Sequence, residues 1–401
     1  MNLMMNFLID LLTLETTALL AVAVAAWVYL TWARAGFWRA DVWLAPEPVT
    51  GNAPQPSLAV VIPARDEAEN ITRTLRSLTD QDYRGDLSIW VVDDESSDGT
   101  GTLAEAETSN DVPVTVVRGM PLPTGWSGKV WAMSQGIAAA TANTRQPDYL
   151  LLTDADIEYA PGMLTKLVNK AHVNNLTFVS LMARLDARSF WGKLLVPAFI
   201  YFFQLIYPFH RANARDDKLA AAAGGCFLIR GDALEAAGGI ETIKGEIIDD
   251  CALAKVLKTA RREHATLTAL THGVRSHRDN RSLDSIWNMV ARTAFTQLGY
   301  SWLALAGAMA GLVLTFILPA WAVVTWMTGT SSGTIGLLGL AAWLLMARTY
   351  LPTIRMYGLN PLWALSLPAA AVIYAGATIA SALRHARGSG ARWKGRSYPA
   401  S

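Results

Sequence analysis

Tyr149-Leu150-Leu151-Leu152-Thr153-Asp154-Ala155-Asp156 is the stretch on which the fold turns. Its first half is short and apolar, the pattern of a buried strand. Two carboxylates one residue apart follow where the chain leaves that strand. In an open α/β sheet, ligands bind in the crevice beyond the carboxyl ends of the strands. Residues two apart in extended chain point to the same side. Asp154 and Asp156 therefore offer two hard oxygen donors on one side, a set suited to Mg²⁺ or Mn²⁺, which keep open positions for phosphate oxygens. A lone Asp-X-Asp is more often just two acids of a solvated loop, so its meaning depends on the rest of the chain.

Outward from this stretch the sequence alternates short apolar runs with amphipathic segments. Leu58–Ile62, Leu87–Val92, Val112–Val117 and Tyr149–Leu152 read as strands, and 66–79, 98–108, 128–141 and 161–173 as helices. Strands alternating with helices predict an α/β domain with a mostly parallel, helix-covered sheet. Beyond Leu176–Leu181, a Gly-containing strand is expected over Ala220–Ile229 and helices over 249–262 and 282–298. Phe190–Phe209 is rich in aromatics but interrupted by Lys193, Pro197, Gln204 and Pro208. It reads as an interfacial or a buried core helix rather than a full span.

The 401 residues are 52% hydrophobic and only 17% charged, too apolar for an ordinary soluble enzyme. The excess is concentrated near the N-terminus and after residue 300. A net charge of +1 excludes a strongly basic nucleic-acid-binding protein, so no nucleic acid partner is expected. Cys226 and Cys251 are too few for a disulfide framework and lack metal-type spacing, which fits a domain facing a reducing compartment.

Residues 16–33 carry no charge and are long enough to cross a bilayer core. Asp10 and Glu15 come first and no cleavage site is evident, unlike a signal peptide. Arg34 and Arg39 follow, so the next domain is expected on the cytoplasmic side of a bacterial inner membrane. Pro46, Pro48, Gly51, Pro54 and Pro56 mark a linker. Residues 302–327 and 362–383 read as further spans, and 334–347, ending at Arg348, as a shorter one. The tail from Arg384 is basic and should also be cytoplasmic. Three crossings after a cytoplasmic domain would put it outside, so one apolar segment must be re-entrant or fail to cross. The expected domains are an anchor and linker over 1–56, a catalytic domain over 57–299, and helices plus tail over 300–401.

Two more acidic turns end strands. Val60-Val61-Ile62-Pro63-Ala64-Arg65-Asp66-Glu67 closes the first, and Val91-Val92-Asp93-Asp94-Glu95-Ser96-Ser97-Asp98-Gly99-Thr100 the second. Asp66 and Asp98 suffice as helix N-caps. Acids at the ends of three parallel strands, however, are where a nucleotide would sit. Asp93 and Asp94 can accept from a base N–H or a ribose hydroxyl. Together with Thr-Asp-Ala-Asp, these motifs resemble a family 2 glycosyltransferase of the GT-A fold. The C-terminal spans and Glu246-Ile247-Ile248-Asp249-Asp250-Cys251-Ala252-Leu253-Ala254 are similar to the hopene-associated glycosyltransferases.

That resemblance implies a nucleotide-sugar donor, a divalent cation, inversion at the anomeric carbon, and a lipid acceptor drawn from the membrane, hopanoid-related in the finer likeness. The family's nucleoside acids fall on Asp93 and Asp94, with Pro63, Ala64 and Glu67 in the matching loop. Its metal motif falls on Asp154 and Asp156, with Asp154 also facing the donor. Its Gly-Lys element resembles Ser127-Gly128-Lys129, a point charge suited to diphosphate. The catalytic acid pair resembles Asp249-Asp250, with Asp250 the expected base and Asp249 the alternative. The same pair would also complement a helix dipole. Met289-Val290-Ala291-Arg292-Thr293 keeps the arginine of the Gln-X-X-Arg-Trp motif of processive members and lacks its Gln and Trp. Arg292 is thus a diphosphate candidate in an enzyme of single transfer. His277 and Arg278 are candidate metal or diphosphate contacts. A polysaccharide synthase and a non-catalytic scaffold retaining the fold are the competing readings. The acids present at every expected position count against the scaffold.

Overall fold

The computed structural model describes residues 2–46, 55–109, 111–142, 146–260, 265–388, 392–393 and 396–397. Pro48, Gly51 and Pro54 of the linker, and Lys394 and Tyr398 of the tail, lie outside the described residues. The chain forms two compact units. A helical unit gathers Met1–Ala40, Ala187–Pro208 and Asp279–Ser389, and a sheet unit gathers Asp41–Asp186, Phe209–Arg278 and Gly390–Ser401.

The chain opens on α1 (Asn2–Trp32) of the helical unit and enters the sheet unit through β1 (Leu58–Ala64), α2 (Ile71–Thr79) and β2 (Leu87–Asp93). Next come α3 (Thr100–Glu105), β3 (Val114–Arg118), α4 (Gly128–Thr141), β4 (Tyr149–Thr153), β5 (Ile157–Tyr159), α5 (Met163–Val173) and β6 (Leu176–Arg184). After α6 (Phe190–Ile206) of the helical unit, the sheet unit is completed by α7 (Phe209–Ala212), β7 (Cys226–Arg230), α8 (Gly231–Ala236), α9 (Asp249–Ala260) and β8 (Ala265–Ser276). The helical unit continues with α10 (Leu283–Gln297), α11 (Trp302–Leu312), α12 (Leu318–Met327), α13 (Gly333–Met356) and α14 (Leu367–Ala386). Two short strands, β9 (Arg392–Trp393) and β10 (Arg396–Ser397), pair antiparallel.

Eight strands form one sheet in the order β3-β2-β1-β4-β7-β6-β8-β5. The half that carries the acidic turns is parallel, β1 pairing with β2 and β4, and β2 with β3. β7 runs against both β4 and β6, and β5 against β8, so the whole sheet is mixed, more so than the strand–helix alternation implied. Successive β1 residues divide between two cores. Val60 and Ile62 pack with Leu75 and Leu167 on one side, and Ala59 and Val61 with Met133 and Leu253 on the other. This period-2 split of an all-apolar strand is what burial on both faces requires.

α4 approaches the sheet at Gly136, where a Cβ would strike the Val61 side chain and stand 2.9 Å from Val92 Cγ2. The strand expected over Ala220–Ile229 is formed only by its end. Gly224 and Gly225 precede β7 as a turn, which suits residues without side chains to pack.

Among the described residues of the helical unit, four helices are long and apolar enough to cross a membrane: Leu11–Trp32, Trp302–Met327, Gly333–Met356 and Pro361–Ala386. Trp302–Met327 is α11 and α12 joined by a π-helical turn over Val313–Ile317. The segment expected to stop at Arg348 continues eight residues to Met356. The Arg348 guanidinium lies about 6 Å from the Trp32 and Trp38 rings, so its charge is met by aromatic faces. α6 is a single 17-residue helix with Pro197 inside it, too short to be a conventional span.

Replacing Gly136 by leucine should overpack the α4–β1–β2 contact and cost roughly 1–3 kcal/mol, as for other insertions into filled cores. Denaturant unfolding of the detergent-purified protein, followed by tryptophan fluorescence, would show a lowered midpoint.

Candidate active site

The parallel half of the sheet brings the acidic turns to one edge. Ala64 is in register with Asp93, and Val61 with Leu152, so β1, β2 and β4 end together. Pro63 and Ala64 close β1 between the two acidic strand ends. The turn after β2 is pinned on both sides. Asp94 N–H donates to the Ala64 carbonyl at 2.8 Å, and Gly119 N–H to the Asp93 carbonyl at 2.8 Å. Asp93 Oδ1 accepts from Ser96 N–H at 3.0 Å, and a Cβ on Gly101 would strike Oδ2. Asp94 is fully buried, 3.5 Å from Arg65 Nη1, which also donates to the Asp94 carbonyl.

Asp98 Oδ1 accepts from the N–H of Thr100, the first residue of α3, at 3.1 Å, as a helix-capping acid does, whereas α2 begins only at Ile71, well beyond Asp66. Each acid also reaches across to the other turn. Asp66 Oδ1 accepts from Ser97 N–H at 2.8 Å, and Asp98 Oδ2 from Ala68 N–H at 2.9 Å. Glu67 N–H donates to Thr100 Oγ1 at 2.8 Å. The two loops thus form one stapled rim.

Lys129, in the first turn of α4, is the centre of the site. Its Nζ lies 2.9 Å from Asp154 Oδ1 and 3.2 Å from Asp249 Oδ2. Burial alone would lower its pKa, but Asp154, Asp249 and Asp250 override that and hold it raised, so the ammonium stays charged. α9 opens on Asp249 and Asp250, and Asp250 Oδ1 accepts from Cys251 N–H at 2.7 Å. Burial, then the neighbouring Asp249 charge, push Asp250 up to about 7, despite the opposing effect of Lys129. Gly224 faces this pair. A Cβ there would stand 3.2 Å from Asp250 Oδ2 and 3.5 Å from Lys129 Nζ.

Asp156 is raised as well, first by burial and then by Asp154, with Glu67 adding to the effect. Ser276 Oγ donates to Asp156 Oδ2 at 2.9 Å and opposes the shift, as does Arg278. The structure therefore gathers Glu67, Lys129, Asp154, Asp156, Asp249 and Asp250 into one electrostatically connected group. Asp93 and Asp94 lie on the same sheet edge, two strands from β4. Arg292 lies on α10, in the helical unit.

His277 departs from the metal-ligand expectation. Its Nε2 is 2.6 Å from Glu158 Oε2, and its Nδ1 is 2.9 Å from Arg73 Nη1. Arginine only donates, so Nδ1 accepts and Nε2–H points to the carboxylate. Both ring nitrogens are thereby committed away from Asp154 and Asp156, and the His277 link to the site is its N–H, donating to the Asp156 carbonyl at 2.8 Å. Arg65, Arg73, Glu158, Gly224 and Ser276 were given no role by sequence reasoning. Only the Gly224-Gly225 doublet left a signal, as a place where another group comes close.

Among the described residues, no three His, Cys, Asp or Glu side chains gather into a metal cage. The fit to Mg²⁺ or Mn²⁺ is of another kind. Such ions take one or two carboxylates and complete their shell with water and phosphate oxygens. Asp154 and Asp156, close enough for one charge to raise the pKa of the other, supply that all-oxygen pair.

The mixed sheet with acids at its parallel edge is the GT-A type of nucleotide-sugar transferase fold. Residues 59–238 match the family model "Glycosyl transferase family 2". Beta-monoglucosyldiacylglycerol synthase of Synechocystis sp. is 28% identical over 157 residues, covering 37% of this chain and 31% of the relative. An N-acetylglucosaminyltransferase of Rhizobium leguminosarum bv. viciae is 28% identical over 161 residues, covering 39% of this chain and 36% of the relative. The chain thus spans about a third of the length of these curated relatives. The fold is shared with the mannosyltransferase PcManGT of Pyrobaculum calidifontis, solved with GDP-Man and Mn²⁺. There the TM-score is 0.51 at 19% identity, covering 92% of this chain and 98% of that one.

An aspartate raised to about 7 binds more protons folded than unfolded between its ordinary value near 4 and 7. Its contribution to stability therefore falls as pH rises through that window. Asp250→Asn should remove this slope. The melting temperature of the variant, relative to the parent, should be a few degrees higher at pH 8 than at pH 4, measured by thermal scanning in detergent.

Proposed function

We propose that the protein is an inverting glycosyltransferase that moves one sugar from a nucleotide-diphosphate donor to a hydroxyl of a membrane lipid. The observation that carries this reading is the Asp250–Lys129–Asp154 chain, in which a base poised near neutrality is separated from the Asp-X-Asp pair by one lysine. Transfer with inversion is a single displacement, so the base and the leaving diphosphate need opposite sides of the anomeric carbon. Asp250 takes the acceptor proton as the new C–O bond forms and the bond to the diphosphate breaks with its electron pair. A carboxylate with a pKa near the working pH is well matched to this task.

Asp154 and Asp156 would hold the divalent cation, which when bound neutralises charge on the departing diphosphate. Lys129 adds a second positive charge next to it, and Ser276 fixes the Asp156 carboxylate by its 2.9 Å hydrogen bond. Asp93 and Asp94, on the pinned turn after β2, meet the nucleoside, with Pro63, Ala64 and Glu67 along the same rim. Asp249 holds Lys129 and keeps Asp250 raised. Arg292 is the remaining candidate for the diphosphate. Support for a lipid acceptor comes from the four apolar helices and from the diacylglycerol-linked name of one relative. A hopanoid-related acceptor is the narrower form of this proposal, and a cytoplasmic catalytic domain follows from Arg34 and Arg39 after α1. Thr293 in place of the acceptor-stacking tryptophan supports single transfer over polymer synthesis.

Membranes containing the protein, incubated with a panel of labelled nucleotide sugars, should yield one labelled lipid with Mn²⁺ or Mg²⁺ and none with EDTA. Asp156→Ala and Asp250→Asn should each reduce labelling at least a hundredfold, with the protein still present at parental levels. Labelling unaffected by either substitution would sink the mechanism. Long sugar polymers in place of a singly labelled lipid would favour a synthase.

A further inference from the structure

The helical unit contains four helices of spanning length, and an even number conflicts with a basic tail on the same side as Arg34 and Arg39. Contacts inside this unit place the ends of the helices relative to one another. Leu20 of α1 clusters with Ala322 of α12 and Ile335 of α13. Further along, Trp27 Nε1 donates to the Thr315 carbonyl at 2.7 Å. α1 therefore runs antiparallel to the α11–α12 rod, while the Trp32–Arg348 contact shows it parallel to α13. In the α12–α13 hairpin, Gly336 meets Trp326 and Gly339 meets Ala322. Counting on from these pairs brings Met356, the end of α13, level with the start of α11 near Trp302.

α14 also ends at this level. Phe202 packs against both Phe316 and Tyr374 at 5.4 and 5.3 Å, Ala382 clusters with Leu305, and His385 stacks on Tyr300 at 4.4 Å. Rising residue numbers in α14 thus meet falling numbers along α11, so α14 points the same way as α13. Two consecutive helices with the same direction require the chain to turn back between them. The 3₁₀ segment Pro361–Ser366 does so. Trp343 Nε1 donates to the Leu365 carbonyl at 3.2 Å, and Trp343 lies thirteen residues, about 20 Å of helix, before Met356.

We propose that 357–386 is a re-entrant element, entering the bilayer from the end of α13 and returning to the same face, so that the chain crosses three times and not four. α1, α11–α12 and α13 are the crossings, and Pro361–Ser366 is the tip. Leu362 and Leu365 are 71% and 42% exposed, which presents apolar side chains to lipid. The tip's backbone and polar groups are supplied locally. Asn360 Oδ1 accepts from Leu362 N–H, Ser366 Oγ donates to the Trp363 carbonyl, and Trp343 takes the Leu365 carbonyl. Irregular backbone at membrane depth needs such partners. The charges agree. Arg34, Arg39, Arg355, Arg384 and Arg387 all fall at the shared end, while the α12–α13 turn, Thr328–Ser332, has none. Positive flanks stay in the cytoplasm, so that end is cytoplasmic and the basic tail breaks no rule.

The test uses the full chain with Cys226→Ala and Cys251→Ala, carrying single cysteines by Arg39→Cys, Thr330→Cys or Arg387→Cys in a bacterial host. A membrane-impermeant maleimide applied to spheroplasts should label only Thr330→Cys. Arg39→Cys and Arg387→Cys should react only in inverted vesicles. A fluorescent-protein fusion after Ser401 should be bright and an alkaline phosphatase fusion there inactive, a readout that needs no internal substitution. Labelling of Arg387→Cys on the Thr330→Cys side, or an active phosphatase fusion, means that α14 spans and overturns the proposal.

Discussion

One lysine holds the candidate site together. Lys129 sits between Asp154 at the end of β4 and Asp249 at the start of α9, elements nearly a hundred residues apart in the chain. Three carboxylates packed this tightly repel, and without an ammonium among them their neighbours would have to spread or protonate. The raised value of Asp250 comes first from its burial and then from the Asp249 charge, with Lys129 opposing both. The same contact ties α4, through the close approach of Gly136 to Val61 and Val92, to the parallel strands that carry the acidic turns.

From this centre the rest follows by rigidity. The parallel register of β1, β2 and β4 brings their ends to one edge, and the crossed Asp66 and Asp98 hydrogen bonds lock two loops into a single rim. Ser276, at the end of β8, fixes Asp156 from the antiparallel side of the sheet. A nucleotide diphosphate would thus meet a preformed surface, the condition under which electrostatic catalysis costs least reorganisation.

In the helical unit the constraint is that polar groups among long apolar helices find their partners within the protein. Arg348 meets two tryptophan rings, Trp27 finds a carbonyl on the π-helical turn at Thr315, and the 3₁₀ tip caps itself with Asn360. Gly336 and Gly339 let α12 and α13 close on each other where side chains would collide. Such contacts set helix direction, which length and hydropathy cannot do.

Residue patterns by themselves determined the strand–helix alternation, the acidic strand ends and the apolar segments, because each depends on local period, charge or length. Asp154, Asp156, Asp249, Asp250 and Lys129 were legible as candidates only through the combination of motifs, since each alone also suits a solvated loop or a helix end. Their mutual arrangement was not, because it is made by contacts between residues far apart in sequence. The commitment of His277 to Arg73 and Glu158, the mixed direction of the sheet at β7, and the crossed roles of Asp66 and Asp98 arise in the same way. So does the direction of α14. A run of apolar residues states that a helix is at home in lipid, and only its packing partners state which way it points.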